Sequence, residues 1–251
     1  MLSIIITTFV VINKTKDKSV HNINKTDIKK YSLDITGVTD TTSSFQKMID
    51  SYPVGSTLKL PEGKYNILST IKLKDGIKLV GDSKVIIFGN GKNTLFNVGN
   101  TNSFSGIKFQ NCATALNVAK KKSLLVTDCH FTNKIDYAAI NISASSNCSI
   151  TNSFFYDIRK YGIIIDNDSS NITIDKNNFD NAKVFGGYAK EQISGHIYCL
   201  NGNKISVTKN VLKNSGGQGV IFGFNSTTGK GTTNSVASGN TCIGKDRKSV
   251  V

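Results

Sequence analysis

Four segments of the chain repeat one pattern: SLLVTDCHF (123–131), CSITNSFF (148–155), NITIDKNNF (171–179) and KISVTKNVL (204–212). In each, an apolar-x-apolar strand is followed by a polar pair and then a bulky apolar residue. A fifth, looser copy is SVASGNT (235–241). Val126 to Ile150 and Ile150 to Ile174 are steps of 24 residues, Ile174 to Val207 is 33 and Val207 to Val236 is 29. The third step therefore carries an insertion of about nine residues. A second strand recurs within each unit: ALNV (115–118), AAINIS (138–143), GIIID (162–166), GHIYCL (195–200) and GVIFGF (219–224). Two or three short strands per unit leave no room for crossover helices, which excludes an ordinary α/β sheet. The pattern predicts an all-β solenoid, with each strand parallel to its copy one coil on, about 4.8 Å away.

Inward side chains should then stack in columns, with Leu116, Ile140, Ile163, Ile197 and Val220 in one and Phe131, Phe155, Phe179 and Leu212 in another. Asn177 and Asn210 fall in register at a turn, where amides can hydrogen-bond from coil to coil, so their expected role is architectural. Upstream, TLKL (57–60), KYNI (64–67), TIKL (70–73), IKLV (77–80) and KVIIF (84–88) read as strands broken by glycine turns. Before them Phe45, Met48 and Ile49 lie at i, i+3 and i+4 in TTSSFQKMIDS (41–51), the apolar face of a short helix with Thr or Ser available to cap it. One amphipathic helix ahead of many strands suits a lid, because the end of a solenoid is an open layer of core.

Residues 13–30 are polar, charged and aperiodic and read as a flexible arm. The apolar run 2–12 is far short of the roughly 20 residues that span a bilayer. It reads as a remnant secretion signal, or equally as a strand or a piece of linker. Residues 31–251 are then one domain. The last segment, GNTCIGKDRKSVV, stops where the next strand should begin, which is expected of a chain truncated from a longer parent. The 22 glycines and the abundant Asn, Ser and Thr fit tight turns with left-handed backbone. A net charge of +14 fits either a polyanionic partner or lysines placed in solvated turns. The lysines are scattered, with only Lys120-Lys121-Lys122 in a run, and no nucleic-acid motif accompanies them. The five cysteines show neither CxxC nor a histidine-paired zinc spacing and read mostly as small core residues.

The stretch 31–82 resembles the N-terminal block of the pectate-lyase-like superfamily, through Asp40-Thr41-Thr42 before the helix, Leu60-Pro61-Glu62-Gly63-Lys64-Tyr65 and Leu79-Val80-Gly81. The resemblance implies a right-handed parallel β-helix with a short N-terminal capping α-helix. That superfamily includes pectate and rhamnogalacturonan lyases, polygalacturonases, uronate epimerases and phage tail spikes, among which fold does not select. It implies an extracellular or virion-associated protein that acts on an acidic polysaccharide or cell-wall polymer, most simply as a lyase or hydrolase. The alternative is a non-catalytic, carbohydrate- or receptor-binding module, a homotrimer if it is a tail spike. No nucleic acid and no membrane span are expected.

The resemblance also implies that the working surface is the outward face of the strand after the glycine turn. Strict alternation points Asn117, Asn141, Ile164, Asp166, His196, Tyr198 and Ile221 outward or to the strand flanks. Arg159 and Lys160 sit in the preceding turn, and the inserted loop 181–194 would bring Tyr188, Lys190 and Glu191 over the same groove. For β-elimination on a uronate, His196 or Tyr198 could be the base, Arg159 or Lys190 the charge neutraliser and Asn141 a hydrogen-bond donor. Asn117 and the loop residues would bind substrate. Hydrolysis would need two carboxylates, for which Asp166 and Glu191 are the obvious pair. The Asn-Thr-Asp, Asp-Asp, Gly-His-Gly and Arg-Ile-Lys series of polygalacturonases is missing. Asp166 and Asp168 alone support calcium only weakly, so no metal or other cofactor is expected.

Overall fold

Three parallel sheets form because each coil, whatever its length, returns an apolar residue to the same three inward positions. The computed structural model describes residues 20–182 and 195–244. Sheet A pairs Leu79, Phe104, Val126, Ile150, Ile174, Val207 and Ala237 in succession. Sheet B pairs Ile87, Phe109, Phe131, Phe155, Phe179, Leu212 and Cys242. Sheet C pairs Phe96, Leu116, Ile140, Ile163, Ile197 and Val220. The two inward columns expected from the repeats are present and extend further toward the N-terminus. In sheet B the rings of Phe109, Phe131, Phe155 and Phe179 stack at centroid distances of 5.1, 4.8 and 4.3 Å. The last coil departs from the expected register. Val207 pairs with Ala237, a step of 30 rather than 29, and Val236 is exposed beside Ser206. Near the solenoid's end the smaller residue faces in, so apolar character misplaced the column by one.

The corners are set by backbone conformation. Between sheets A and B, Asp128, Asn152, Lys176, Lys209 and Gly239 all have φ between 50° and 63°. Asn and Asp reach this left-handed region more readily than other non-glycine residues, which is one use of the chain's polar bias. Directly after this bend runs a ladder of side chains that receive backbone N–H groups from the previous coil. Ser153 Oγ accepts from Cys129 N, Asn177 Oδ1 from Ser153 N, Asn210 Oδ1 from Asn177 N and Asn240 Oδ1 from Asn210 N, at 2.8–3.2 Å. The architectural role of Asn177 and Asn210 holds.

The capping helix is α2, Thr42–Ser51, which buries Phe45, Met48 and Ile49 on the first coil. Phe45 meets Tyr65 and Phe96 edge-on at 5.6 and 6.2 Å. Its start is held by Asp40, whose Oδ1 accepts from Thr42 N at 2.9 Å, while the N-cap residue Thr41 makes no side-chain cap bond. The expected flexible arm is structured from Val20 onward. Val20–Asn22 pairs with Thr57–Lys59, and α1, Lys25–Tyr31, carries an Asn24/Asp27 capping box. This helix has no fully buried residue, so it lacks the apolar face that would have revealed it in the sequence. Cys112, Cys129, Cys148 and Cys199 are buried free thiols. Burial pushes the Cys129 thiol up to about 12 and those of Cys148 and Cys199 to about 11, so these serve as packing.

Candidate functional site

The outward side of sheet C changes character along the solenoid. One column runs Asn97, Asn117, Asn141, Ile164, Tyr198 and Ile221. Asn117 Nδ2 donates to Asn97 Oδ1 at 2.8 Å and Asn141 Nδ2 to Asn117 Oδ1 at 2.9 Å. These amides form a second ladder, on the outside and only partly buried. Two N–H groups and two lone pairs per amide exceed what the ladder consumes, which leaves hydrogen-bonding capacity for solvent or a ligand.

Beyond the amides the face turns aromatic. Ala138, Tyr161, Ile164 and Tyr198 form an apolar cluster outside the main core, with Leu200 and Ile221 against it. Tyr161 lies 5.1 Å from Tyr198 and meets Tyr137 edge-on at 5.6 Å. The Lys160 ammonium sits over both the Tyr137 and Tyr161 rings, 5.5 and 5.2 Å from their centroids. Burial raises the pKa of all three tyrosine hydroxyls, which keeps them neutral hydrogen-bonding groups at physiological pH. That direction disfavours Tyr198 as a proton-abstracting base and favours it as a donor. In the sequence Lys160 is placed in the turn beside this face without a role, and Tyr137 and Tyr161 are not among the candidates. A signal for them is present: Tyr137 and Tyr161 stand within one register position of each other at the entry to successive sheet C strands, Tyr161 pairing with Ala138.

The structure overturns the outward placement of His196. It is 1 % exposed, packs 5.4 Å from the Phe179 ring, and its Nε2–H donates to Lys213 O at 2.7 Å. Alternation fails because each sheet C strand bends at its second residue. Ala139 lies in the core although it adjoins the inward Ile140. At the equivalent Gly162, an added Cβ would meet the Phe179 ring at 2.8 Å and the His196 carbonyl at 2.5 Å. Two consecutive residues thus face inward at this corner, and His196 fills the space that glycine leaves in the neighbouring coils.

Burial lowers the His196 pKa to about 4, with the Lys213 carbonyl opposing weakly. The unfolded imidazole titrates near 6.5, so between about pH 4 and 6.5 the unfolded state binds more protons. The stabilisation is complete above pH 6.5 and is lost progressively as pH falls to about 4. The expected loss is up to about 3 kcal/mol across that window. Urea unfolding at stepped pH should show this slope, and His196→Gln should flatten it.

The remaining sequence candidates scatter around the face. Asp166 closes the strand Tyr161–Asp166 and accepts from Asn167 N at 2.7 Å and Asn225 Nδ2 at 2.9 Å. Asp168 pairs with Lys230 at 2.9 Å and accepts from Asn201 Nδ2 at 3.2 Å. Both aspartates thus tie down the hairpin of Phe224–Asn225 and Lys230–Gly231. Arg159 reaches Asp136 at 3.2 Å at the edge of the tyrosine cluster. Tyr188, Lys190 and Glu191 lie outside the described residues. Among the described residues no group of three or more His, Cys, Asp or Glu stands together as a metal site. No described helix is long and apolar enough to cross a membrane.

A family model described as rhamnogalacturonase A/epimerase, pectate lyase-like, matches residues 25–250. No curated protein matches the sequence. Among solved structures, a tailspike protein of E. coli bacteriophage HK620 in complex with a pentasaccharide superposes with a TM-score of 0.67. Identity is 14 %, over 86 % of this chain and 45 % of the tailspike. An iota-carrageenase complexed to iota-carrageenan fragments gives 0.58 at 17 % identity, over 82 % of this chain and 57 % of the enzyme. A protein of Parabacteroides merdae assigned as a glycosyl hydrolase gives 0.52 at 15 % identity, over 93 % of this chain and 99 % of its own. The chain thus spans about half the length of the tailspike and the carrageenase.

Proposed function

This chain belongs to the rhamnogalacturonase A/epimerase, pectate lyase-like family, and from that premise we propose that it acts on a polysaccharide by binding an acidic glycan along the outward face of sheet C. The observation that carries the reading is the Lys160 ammonium held over Tyr137 and Tyr161, beside Tyr198, which continues the column of the Asn117–Asn141 ladder. Sugar rings present apolar C–H faces that stack on aromatic side chains; here Tyr137, 39 % exposed, offers that surface, backed by the nearly buried Tyr161 and Tyr198, and sugar hydroxyls pair with amides. A lysine beside such a platform adds attraction to a carboxylated or sulfated sugar, in keeping with a net charge of +14. The oligosaccharides bound by the tailspike and the carrageenase support a glycan as the occupant.

Binding is favoured over elimination because His196 is engaged inside the solenoid and burial keeps Tyr198 protonated. A secreted or virion-borne protein is the setting this reading implies. Affinity electrophoresis through gels containing polygalacturonate, carrageenan or neutral galactan tests it. The protein should be retarded by an acidic polymer, and the Tyr137→Ala/Lys160→Ala double variant should bind at least about tenfold more weakly, a loss of about 1.4 kcal/mol. Equal retardation of the double variant, or none of the native chain in any gel, would count against the proposal. Release of unsaturated ends from polygalacturonate would instead establish a lyase.

A further inference from the structure

Sheet B has an outward face of its own, on the other side of the 157–160 turn from the tyrosines. Its column runs Lys108, His130, Phe154, Asn178 and Val211 in direct register. The His130 and Phe154 rings stack at 4.8 Å with an interplanar angle of 24°. Phe154 is 45 % exposed, a large apolar ring left facing water on a sheet whose inward phenylalanines, Phe109, Phe131, Phe155 and Phe179, are buried. The stack stops there, because an asparagine rather than a third ring follows in register.

A second, independent feature lies on the same face. Among the described residues, two buried side-chain atoms lack any hydrogen-bond partner, Asn66 Oδ1 and Asn178 Oδ1. Asn178 is the immediate register neighbour of Phe154. Asn66 lies at the start of the adjoining column, which runs on through Phe88, Gln110, Thr132 and Tyr156 to Asp180. Five rungs at about 4.8 Å separate Asn66 from the Asn178 row, about 24 Å along the solenoid. A buried acceptor without a donor costs about 1–3 kcal/mol; Asn178 is itself only half-buried, so turning its amide outward beside Phe154 to meet an incoming hydroxyl would relieve that cost.

We infer that this face is a second carbohydrate-binding site, in which a sugar packs against Phe154 and donates a hydroxyl to Asn178, with Lys108 at the far end of the His130–Phe154 stack. The occupant must combine an apolar face with hydrogen-bond donors. A saccharide does so, whereas a purely apolar partner would leave Asn178 unpaired and a plain anion would leave Phe154 bare. The site repeats the ingredients of the tyrosine face (rings, an amide and a lysine) on a different sheet. Burial and the nearby Lys108 lower the pKa of His130, so its ring is neutral when it stacks. Two sites on one rigid solenoid would let one chain grip a polymer twice and raise avidity well above either affinity.

The chain has three histidines, His21, His130 and His196, so their imidazole C–H resonances can be followed individually by proton NMR on the whole protein. His130 is assigned from a His130→Gln variant. The probes are oligosaccharides of polygalacturonate, carrageenan and neutral galactan. The His130 resonance should shift with at least one probe while His196 stays fixed. The shift should persist in Tyr137→Ala/Lys160→Ala and vanish in Phe154→Ala, which removes an exposed ring and leaves the core intact. The inference is overturned if no probe moves His130, if Phe154→Ala leaves the shift unchanged, or if the Tyr137/Lys160 variant abolishes it. Failure of the tyrosine face alone would appear as unchanged gel retardation in that double variant, with the His130 response untouched.

Discussion

Replacing Asn210 by leucine is expected to cost about 2–6 kcal/mol, a large share of a total stability of the order of 5–15 kcal/mol. Asn210 is fully buried. Its Oδ1 accepts from the Asn177 N–H at 2.8 Å and from Asn177 Nδ2 at 3.0 Å. Its Nδ2 donates to Ile174 O at 2.9 Å and to Asn240 Oδ1 at 3.0 Å. Leucine matches the volume and offers neither function. Asn177 Nδ2 would keep Ile150 O, and Asn240 Oδ1 would keep the Asn210 N–H. The Asn177 N–H and the Ile174 carbonyl would lose these bonds at the turn, each costing about 1–3 kcal/mol if left unsatisfied. The Asn210→Asp variant keeps an acceptor for Asn177 but sets a buried carboxylate oxygen against Ile174 O and Asn240 Oδ1, so it too should destabilise. Urea unfolding should rank native above Asp, and a leucine variant as stable as the native chain would refute the ladder's energetic role.

The parts of the fold legible in the sequence are those where one residue type must recur at each coil. Phe131, Phe155 and Phe179 announce sheet B because only a large apolar residue fills that column, and Asn177 and Asn210 announce the turn for the reason just given. Ser153 and Asn240 belong to the same ladder but are not legible in the sequence, because a serine hydroxyl does the asparagine's work in one coil and the terminal coil is loosely patterned. The capping helix was legible from Phe45, Met48 and Ile49, whereas α1 was hidden by its wholly polar or half-buried surface.

The candidate site was harder to read. Alternation correctly set Asn117, Asn141 and Tyr198 outward, since they follow the bend in sheet C. It failed at His196, which sits in the bend itself, where two consecutive residues face the core. Tyr137 and Tyr161 lie before the bend and were therefore missed. A periodicity argument holds only along an uninterrupted strand, and here the small residues Ala139 and Gly162 marked the interruption. They allow close backbone approach at a corner, and that signal points to a change of phase rather than to chemistry.

The other large effect expected is from Phe155→Ala, at about 3–5 kcal/mol. Phe155 is 1 % exposed and lies between Phe131 at 4.8 Å and Phe179 at 4.3 Å, with interplanar angles of 13° and 10°. The ring is gripped on both faces by rings fixed to rigid strands one coil away, so the site cannot collapse to fill the space alanine leaves. Phe155→Leu retains most of the volume and should cost markedly less. The distribution of the damage is as informative as its size. In a solenoid each coil touches only its neighbours, so stability is nearly a sum of coil and interface contributions. Hydrogen exchange should therefore accelerate most in the strands holding Phe131, Phe155 and Phe179, and least under α2, where Phe45 packs on Tyr65 and Phe96. Uniform acceleration across the chain would mean that the solenoid unfolds as a single cooperative unit. The ring stack would then stabilise the whole protein rather than three coils of it, and loosening the core at Phe155 would disturb the tyrosine face through global unfolding alone.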